Sequence, residues 1–393
     1  MIKRLKDYDF TLMFTPLLLT AFGIVMIYSA SMVLAVYEGY ESNHYLIKQI
    51  QWFAIALVAF VLTCSFPYKY YQKLMKLITL IVIGLLVGVL FLGTEANGAK
   101  SWYDFGFASM QPAEFAKLGL IIYLASIYSK KQSYINEFNK GVLPPLVLTA
   151  LVLGLIMMQP DVGTAAIIFI IACSVIFSSG IRFKHLFMLV LLGVALLAFA
   201  IPSMVTEERV ARFAGAYQPF EDPQDDGYHL IQSYLAIGVG GLTGEGLGGS
   251  VQKLGYLLEP HTDFIMAVIA EELGFVGVVL VIGMLAIIVL RGLFISRKCR
   301  DSFGALLAIG ISSMIGIQAF INLGAISGIL PITGVPLPFV SYGGSSLVIM
   351  LASMGILNNV AKTVKQQEQE PAVPHEKDEA KEFTTKGGKT WVR

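Results

Sequence analysis

Long apolar runs separated by short polar stretches fill most of the chain. A helix that crosses a bilayer needs about 20 mainly apolar residues, because every backbone polar group must be hydrogen-bonded within the segment. Only Gln159, Pro160 and Asp161 separate the fifth apolar run from the sixth, and the break there depends on the proline. The pattern predicts an all-α integral membrane protein with ten transmembrane helices, over residues 11–33, 50–66, 74–93, 112–128, 143–158, 162–180, 185–203, 264–294, 303–329 and 345–363.

Composition agrees with this prediction and removes other classes of protein. Charged residues make up 14% of the chain, whereas soluble domains average about 25%. The 28 lysines and arginines nearly balance the 27 aspartates and glutamates, so no overall basic field would attract nucleic acid. The three cysteines, Cys64, Cys173 and Cys299, lie far apart, which indicates neither a disulfide framework nor a zinc site.

Lysine and arginine are spread unevenly over alternate loops. Fifteen lie in one set of loops and five in the other. Because cytoplasmic loops carry the excess of these residues, both termini are predicted to be cytoplasmic. Residues 1–363 then form the membrane domain, with a large extracytoplasmic loop over residues 203–263 between the seventh and eighth helices. The polar residues 364–393 are predicted to form a disordered cytoplasmic tail.

The long external loop contains two recognisable pieces. Leu230, Tyr234 and Ile237 recur at helical spacing beside the polar Gln232 and Ser233, which predicts a short helix at the membrane interface. The stretch 238–250 carries seven glycines and matches a dinucleotide fingerprint. No strand–helix–strand context surrounds it, so no nucleotide cofactor is predicted.

A second irregular stretch, residues 331–346, has no charge and too much proline and glycine for a spanning helix. Non-helical backbone at membrane depth is tolerated only where it lines a cavity or is buried in protein. We interpret it as a re-entrant Pro/Gly loop that forms one wall of a polar groove before the tenth helix, with Asn322 as a partner.

Ionisable side chains at the edges of spans are functional candidates by default. Glu114 and Lys117 are one helical turn apart, so an internal ion pair is a sufficient explanation for them. Asp161 opens the sixth helix, where capping is at least as good an explanation as catalysis.

Asp263 closes the long external loop and opens the eighth helix. There it would meet a lipid-borne substrate at headgroup level and could act as a general base, although helix capping also fits. Eight helical residues separate Asp263 from Glu271, about 12 Å along the axis, which exceeds the roughly 5–9.5 Å between the carboxylates of glycoside hydrolases. A site with a single carboxylate base favours glycosyl transfer from a phosphate-activated sugar over hydrolysis.

A phosphate-activated donor needs positive charge near its leaving group. Four of the five external cations could clamp a departing pyrophosphate, and contact with lipid headgroups explains them equally well. These four cations are Lys100, Arg209, Arg212 and Lys253.

Several motifs, taken together, resemble the shape, elongation, division and sporulation family of cell-wall polymerases. The match covers nearly all ten predicted helices in order. Two positions depart from the family pattern, Ser101 where an arginine is usual and Leu258 where a proline is usual. The matching pieces are Asn97-Gly98-Ala99 with Trp102, Gln111-Pro112 with Glu114 and Lys117, Gln159-Pro160-Asp161 with Gly163-Thr164, Arg209 and Arg212 before Asp222-Pro223, Gln232-Ser233, Ser250 to Lys253, His261-Thr262-Asp263-Phe264 with Glu271-Glu272, and Pro331 to Ser346.

The resemblance implies a peptidoglycan glycosyltransferase that polymerises lipid II into β-1,4 glycan strands, with Asp263 at the position of the family's essential aspartate. It also implies a divalent cation (Mg or Mn), and it places the protein in the bacterial plasma membrane. The expected partners are a class B penicillin-binding protein, other division proteins, membrane lipids and the lipid-linked glycan. The Asn-Gly-Ala loop and the charged tail are closer to the family's division member than to its elongation member, which indicates action at the septum, and the sporulation member stays open. Further substrate-binding candidates in the matching motifs are Glu114, Lys117, Asp161, Gln232, Ser233, His261, Thr262, Asn322, Ser341 and Ser345.

Two other functions fit the same residues. A lipid II flippase would also need many helices around a polar groove, and a non-catalytic scaffold would position other wall synthases. The sequence favours the enzyme, because a transport site lies near the bilayer midplane whereas Asp263 and the external cations gather near one surface.

Overall fold

A computed structural model describes residues 7–96, 99–106, 109–130, 137–182, 215–224 and 227–369, together with isolated positions among 184–198. Arg209 and Arg212 lie outside the described residues, as do Asn97 and Gly98 and most of the predicted seventh span. The described positions among 184–198 are helical.

Helices dominate the described chain. Six of them (α1, α2, α3, α8, α9 and α10) are long and apolar enough to cross a membrane, whereas α5 and α6 are apolar but shorter. A single π-helical turn, Phe138–Val142, precedes α5. The helices are α1 Phe10–Tyr37, α2 His44–Ser65, α3 Lys69–Leu92, α4 Pro112–Lys130, α5 Leu143–Met157, α6 Val162–Ser178, α7 Tyr228–Gly240, α8 Ile265–Lys298, α9 Ser302–Ile326 and α10 Gly344–Gln369.

Nine of the ten predicted spans coincide with one of these helices in the described chain. The largest differences are at the start of α2, six residues before the predicted position, and at the end of α10, which continues to Gln369 instead of stopping at residue 363. The first six residues of the predicted tail, 364–369, are therefore helical. Residues 370–393 lie outside the described part of the chain.

The segment between α3 and α4 was predicted only as a loop, and it forms a small antiparallel sheet. Its strands are β1 Thr94–Ala96, β2 Ala99–Asp104 and β3 Ser109–Met110, in the order β1-β2-β3. Tyr103 Oη donates to Leu85 O at 3.0 Å, which fixes the sheet to the last turns of α3. Lys100 is half-buried in β2, opposite Glu95 of β1.

Helices α9 and α10 form the interior of the bundle. In α10, 83% of the most apolar stretch is buried inside the protein, against 17% in α2. At Gly355 of α10 a Cβ atom would lie only 2.6 Å from Phe60 O of α2, so glycine permits the close approach of these two helices. The irregular segment between α9 and α10 is therefore attached to the most enclosed part of the molecule.

Helix α8 is interrupted at Gly274, which has φ +62° and ψ −159°. Glycine adopts this backbone conformation without the steric cost that a Cβ atom would impose. Phe275 N donates to Gly241 O at 3.0 Å, and Gly246 N donates to Glu272 O at 3.0 Å. The glycine run thus supplies backbone hydrogen bonds to the interrupted turn. A Cβ atom at Gly244 would lie 2.2 Å from Glu272 O, which explains why glycine is required there.

The short helix predicted in the long loop is present as α7. It buries Leu230, Ser233 and Ala236, and Ser233 Oγ donates to Ile326 O at the end of α9 at 2.9 Å. This face of α7 therefore packs on protein.

Candidate active site

The non-helical segment between α9 and α10, residues 327–343 (the Pro/Gly segment), is held by polar side chains from several helices. Buried backbone groups need such partners when they lie outside helices and sheets. The hydrogen bonds run from Asn322 Nδ2 to Val335 O (2.8 Å), from Gln318 Nε2 to Pro336 O (3.2 Å), from Leu337 N to Ser341 Oγ (2.8 Å) and from Gly343 N to Gln49 Oε1 (3.4 Å). The predicted non-helical character of this segment is confirmed, and so is Asn322 as its partner.

The Pro/Gly segment also fixes the backbone that carries Asp263. Ser341 Oγ donates to Thr262 O at 2.6 Å, and Tyr342 N donates to His261 O at 2.9 Å. Asn322 Nδ2 donates to Asp263 O at 2.9 Å while also bonding to the Pro/Gly segment. The stretch 261–263 is therefore held at three successive carbonyl oxygens.

The Asp263 side chain is half-buried just before α8. The N-cap residue of α8 is Phe264, and Asp263 directly precedes it. A Cβ atom at Gly334, which has φ +68°, would lie 3.7 Å from Asp263 Oδ2. Glycine suits this positive φ, and a Cβ atom there would be in van der Waals contact with the carboxylate.

Glu114 and Lys117 support the Pro/Gly segment through Gln318. Lys117 Nζ lies 2.7 Å from Glu114 Oε1, and both side chains are at most 5% exposed. Lys117 Nζ also donates to Gln318 Oε1 at 2.9 Å, and Gln318 in turn binds Pro336 O. The predicted internal ion pair is confirmed.

Asp161 caps α6, because its Oδ1 accepts a hydrogen bond from Thr164 N at 3.0 Å. Its other oxygen accepts from Gln111 Nε2 at 3.1 Å. The start of α6 adjoins the Pro/Gly segment, since a Cβ atom at Gly163 would lie 2.9 Å from Thr333 O. The predicted capping role of Asp161 is therefore confirmed, and its place among the substrate-binding candidates stays a prediction.

The remaining substrate-binding candidates are buried or lie in other parts of the fold. Ser345 is buried and accepts from Gln111 N at 3.3 Å. Ser233 is buried against α9, and Gln232 is half-buried on the same helix.

Lys253 corrects the prediction of an external cation clamp. Its ammonium lies 2.6 Å from Glu272 Oε1, and its side chain is 1% exposed. Ser29 Oγ of α1 completes this triad, since it accepts from Lys253 at 3.0 Å and donates to Glu272 at 2.7 Å. The sequence could not reveal this triad, because Lys253 and Glu272 are 19 residues apart and Ser29 lies 224 residues before Lys253. Lys253 therefore ties the long loop to the helices instead of facing a ligand.

Glu271 holds the same end of the loop. Its carboxylate accepts from Ser250 Oγ and, at 2.8 Å, from Val251 N. Glu271 is 1% exposed, so it does not form a second carboxylate beside Asp263.

The sequence predicted His261 as a substrate-binding candidate but missed the two tyrosines that pack against it. The ring of His261 lies 4.5 Å from that of Tyr45 and 5.3 Å from that of Tyr342. Burial lowers the pKa of His261, while the carboxylates of Glu259 and Glu38 act in the opposite direction. The Nδ1 atom of His261 is buried and has no hydrogen-bond partner among the residues that the structure describes.

The expected divalent cation finds no prepared site in the described part of the chain. No group of three or more His, Cys, Asp or Glu side chains comes together there. The cation stays a prediction, and the proposed reaction assigns no step to it.

These features define a class: a helical, membrane-spanning protein with one half-buried carboxylate held at the end of its bundle by an irregular inner segment. Residues 10–366 match the family described as cell cycle protein, which groups FtsW, RodA and SpoVE. The chain belongs to this family.

Individual relatives cover nearly the whole chain. A probable peptidoglycan glycosyltransferase FtsW of Bacillus subtilis is 50% identical over 390 residues, 95% of this chain and 96% of the relative. Stage V sporulation protein E of the same organism is 40% identical over 356 residues, covering 90% and 97%.

Solved structures share the fold. A chain from a study of polymerization and crosslinking by a peptidoglycan synthase complex has a TM-score of 0.74 at 29% identity, covering 91% of this chain and 98% of the other. Rod shape determining protein RodA of Thermus thermophilus gives a TM-score of 0.66, also at 29% identity, covering 90% and 96%.

Proposed function

We propose that this protein is a peptidoglycan glycosyltransferase that polymerises lipid II into β-1,4 glycan strands during cell-wall synthesis. The observation that carries the proposal is the half-buried Asp263 carboxylate, whose backbone carbonyl is held by Asn322. A preorganised carboxylate of this kind can act as a general base without reorganising during the reaction.

In the proposed reaction, Asp263 removes the proton from the 4-hydroxyl of the acceptor sugar. The hydroxyl oxygen forms a bond to the anomeric carbon of the donor as the bond from that carbon to the lipid pyrophosphate breaks. The electron pair of the broken bond leaves with the pyrophosphate, and the proton stays on Asp263 until it passes to water. One displacement inverts the anomeric carbon, so an α-linked donor gives a β-linked product.

The leaving pyrophosphate requires cations. We assign this role to Arg209, Arg212 and Lys100, because Lys253 is committed to Glu272. Asn322, Ser341, Gln318 and the Glu114–Lys117 pair act as positioning residues, since their polar atoms bind the Pro/Gly segment or one another. His261 and Thr262 lie on the substrate side with Asp263.

For the membrane arrangement we propose ten spans with both termini in the cytoplasm. The long loop, α7 and Asp263 then lie at the outer face, where lipid-linked sugars are polymerised, and the Pro/Gly segment re-enters the bundle from that side. We further propose a role in septal synthesis with a class B penicillin-binding protein. The likeness to a division relative and to a chain from a peptidoglycan synthase complex supports this role.

Asp263→Asn tests the catalytic role. The variant should fold and insert normally yet lose about 10²- to 10⁴-fold in polymerisation, because the amide cannot accept the proton. Asp161→Asn is the matched control, since Asp and Asn are equivalent N-caps and Asp161 is a cap by its contacts. It should keep near wild-type activity.

The assay uses purified protein and lipid II in detergent, with glycan strands separated on gels. Polymer formed without a sealed membrane distinguishes the enzyme from a flippase and from a scaffold. Near wild-type activity of both the Asp263→Asn and the Asp161→Asn variants would exclude Asp263 as the base.

A further inference from the structure

Five rings form a continuous aromatic cluster beside Asp263: Tyr40, His44, Tyr45, His261 and Tyr342. Tyr40 and His44 stack with centroids 4.1 Å apart and an angle of 12° between the rings. His44 meets Tyr45 edge to face at 5.3 Å. Tyr45 then contacts both His261 and Tyr342. The cluster leads from Tyr40, which is 51% exposed, to His261, which is 5% exposed.

The cluster joins two regions that sequence alone keeps apart. Tyr40 lies in the turn after α1 and Tyr45 in the first turn of α2, whereas His261 is two residues before Asp263. Tyr342 N of the Pro/Gly segment holds the His261 carbonyl, and Asn322 of α9 holds the Asp263 carbonyl, so the cluster and the proposed base lie on one anchored stretch. His261, the member of the cluster nearest to Asp263 in sequence, is two residues before it on this stretch.

Carboxylates flank this side of the site. Glu38 accepts a hydrogen bond from Tyr45 Oη, and Glu259 accepts one from Thr262 Oγ1 at 2.7 Å. Both carboxylates act electrostatically on His261. Negative charge at this position repels a pyrophosphate but accepts hydrogen bonds from hydroxyl groups.

The unpartnered Nδ1 atom of His261 points to a polar ligand. A buried nitrogen without a hydrogen bond is costly, and a neutral imidazole nitrogen either donates or accepts. A sugar hydroxyl serves both cases, and the apolar face of a sugar ring suits the flat, partly exposed tyrosines.

We propose that the aromatic cluster binds an uncharged N-acetylated hexosamine ring, the acceptor sugar whose 4-hydroxyl Asp263 deprotonates. This inference rests on the proposed function and assigns the acceptor to the aromatic and acidic side of Asp263. The donor and its pyrophosphate then lie away from the carboxylates of Glu38 and Glu259.

The first test is binding of N,N′-diacetylchitobiose, an uncharged disaccharide without lipid or phosphate, to the full chain in detergent. Saturation-transfer difference NMR should show transfer to the sugar in the wild type and in Tyr40→Phe, which keeps the ring. Tyr40→Ala should lose the signal. Tyr37→Ala, at an exposed tyrosine outside the cluster, is the matched control and should keep it.

The second test separates KM from kcat in lipid II polymerisation. Tyr40→Ala should raise KM roughly two- to tenfold, as expected for loss of one aromatic contact, with kcat within about twofold of wild type. Tyr40→Phe should restore KM. Loss of folding would not produce this pattern, because truncation at a half-exposed side chain removes little packing.

The two tests separate failure of this inference from failure of the proposed function. If the wild type polymerises lipid II but binds no chitobiose, or if Tyr40→Ala keeps wild-type KM and binding, the aromatic cluster is not a sugar site. If Asp263→Asn polymerises normally, the proposed base is wrong, and sugar binding by Tyr40→Ala still decides the inference.

Discussion

Lys253→Met should destabilise the protein strongly, and adding Glu272→Met should recover most of the loss. In the wild type, the Lys253 ammonium and the Glu272 carboxylate lie 2.6 Å apart with side chains 1% and 0% exposed. Removing the lysine leaves an uncompensated buried carboxylate. Removing both charges leaves an apolar contact of similar volume. Adding Ser29→Ala then removes the remaining polar side chain of the triad.

The expected magnitudes follow from burial. Loss of one partner of a buried ion pair costs about 3–5 kcal/mol, whereas replacement of both partners by apolar residues is often neutral or stabilising. The single variant should therefore lose a factor of about one hundred to several thousand in its folding equilibrium constant. Lys298→Met is the matched control. Lys298 pairs with Glu368 at 2.8 Å, but the two side chains are 43% and 50% exposed, so the loss should stay below about 1 kcal/mol.

Thermal unfolding in detergent gives the stability, and lipid II polymerisation per folded molecule gives the activity. The order expected for stability is Lys253→Met well below the double variant, with the double variant near wild type. If Lys253→Met unfolds like the wild type but polymerises slowly, and Glu272→Met does not rescue it, Lys253 contacts the substrate after all.

Three further predictions test other parts of the structure. Gly274→Ala should destabilise the protein by at least about 1–2 kcal/mol in the melting assay, which is roughly the cost of a positive φ. The added Cβ atom would also lie 2.4 Å from Gly244 N. Gly283→Ala in the same helix is the control and should not lose stability, because its Cβ atom would meet nothing within 4 Å. A cysteine at Gln224 should react with a membrane-impermeant maleimide in intact cells; reaction only after permeabilisation would invert the proposed topology. Chelation by EDTA should reduce polymerisation and added Mg²⁺ or Mn²⁺ should restore it, while full activity in EDTA would remove the cation from the mechanism.

The sequence predicted the helices well because length and apolar content alone determine a spanning segment. It also located the irregular chain before α10, since proline and glycine there are incompatible with a regular helix. The three short strands were missed, because runs of two to six residues carry too little periodicity to be recognised.

The site was predicted less completely, and the reason is physical. Asp263 stands out because a carboxylate at the edge of a span is costly. Lys253 was predicted to face a ligand but is buried in an ion pair, and Tyr45 was overlooked. Both errors have the same cause, because each residue's role depends on partners that the sequence does not place beside it. These partners are Glu272 and Ser29 for the lysine and His261 for the tyrosine. A single sequence contains no signal that joins such pairs.

The backbone pairing between the glycine run and the interrupted turn of α8 changes how the chain closes its longest loop. Without that pairing, about sixty residues would form one uninterrupted loop between the predicted seventh span and Asp263. The pairing at Gly246 and Glu272 divides this stretch, so the part that carries Asp263 has fewer than twenty residues between Gly246 and the start of α8. In polymer terms the shortening reduces the closure entropy by only about 1 kcal/mol. Its main consequence is that the positioning of Asp263 becomes a local folding event, which can proceed independently of the first half of the loop.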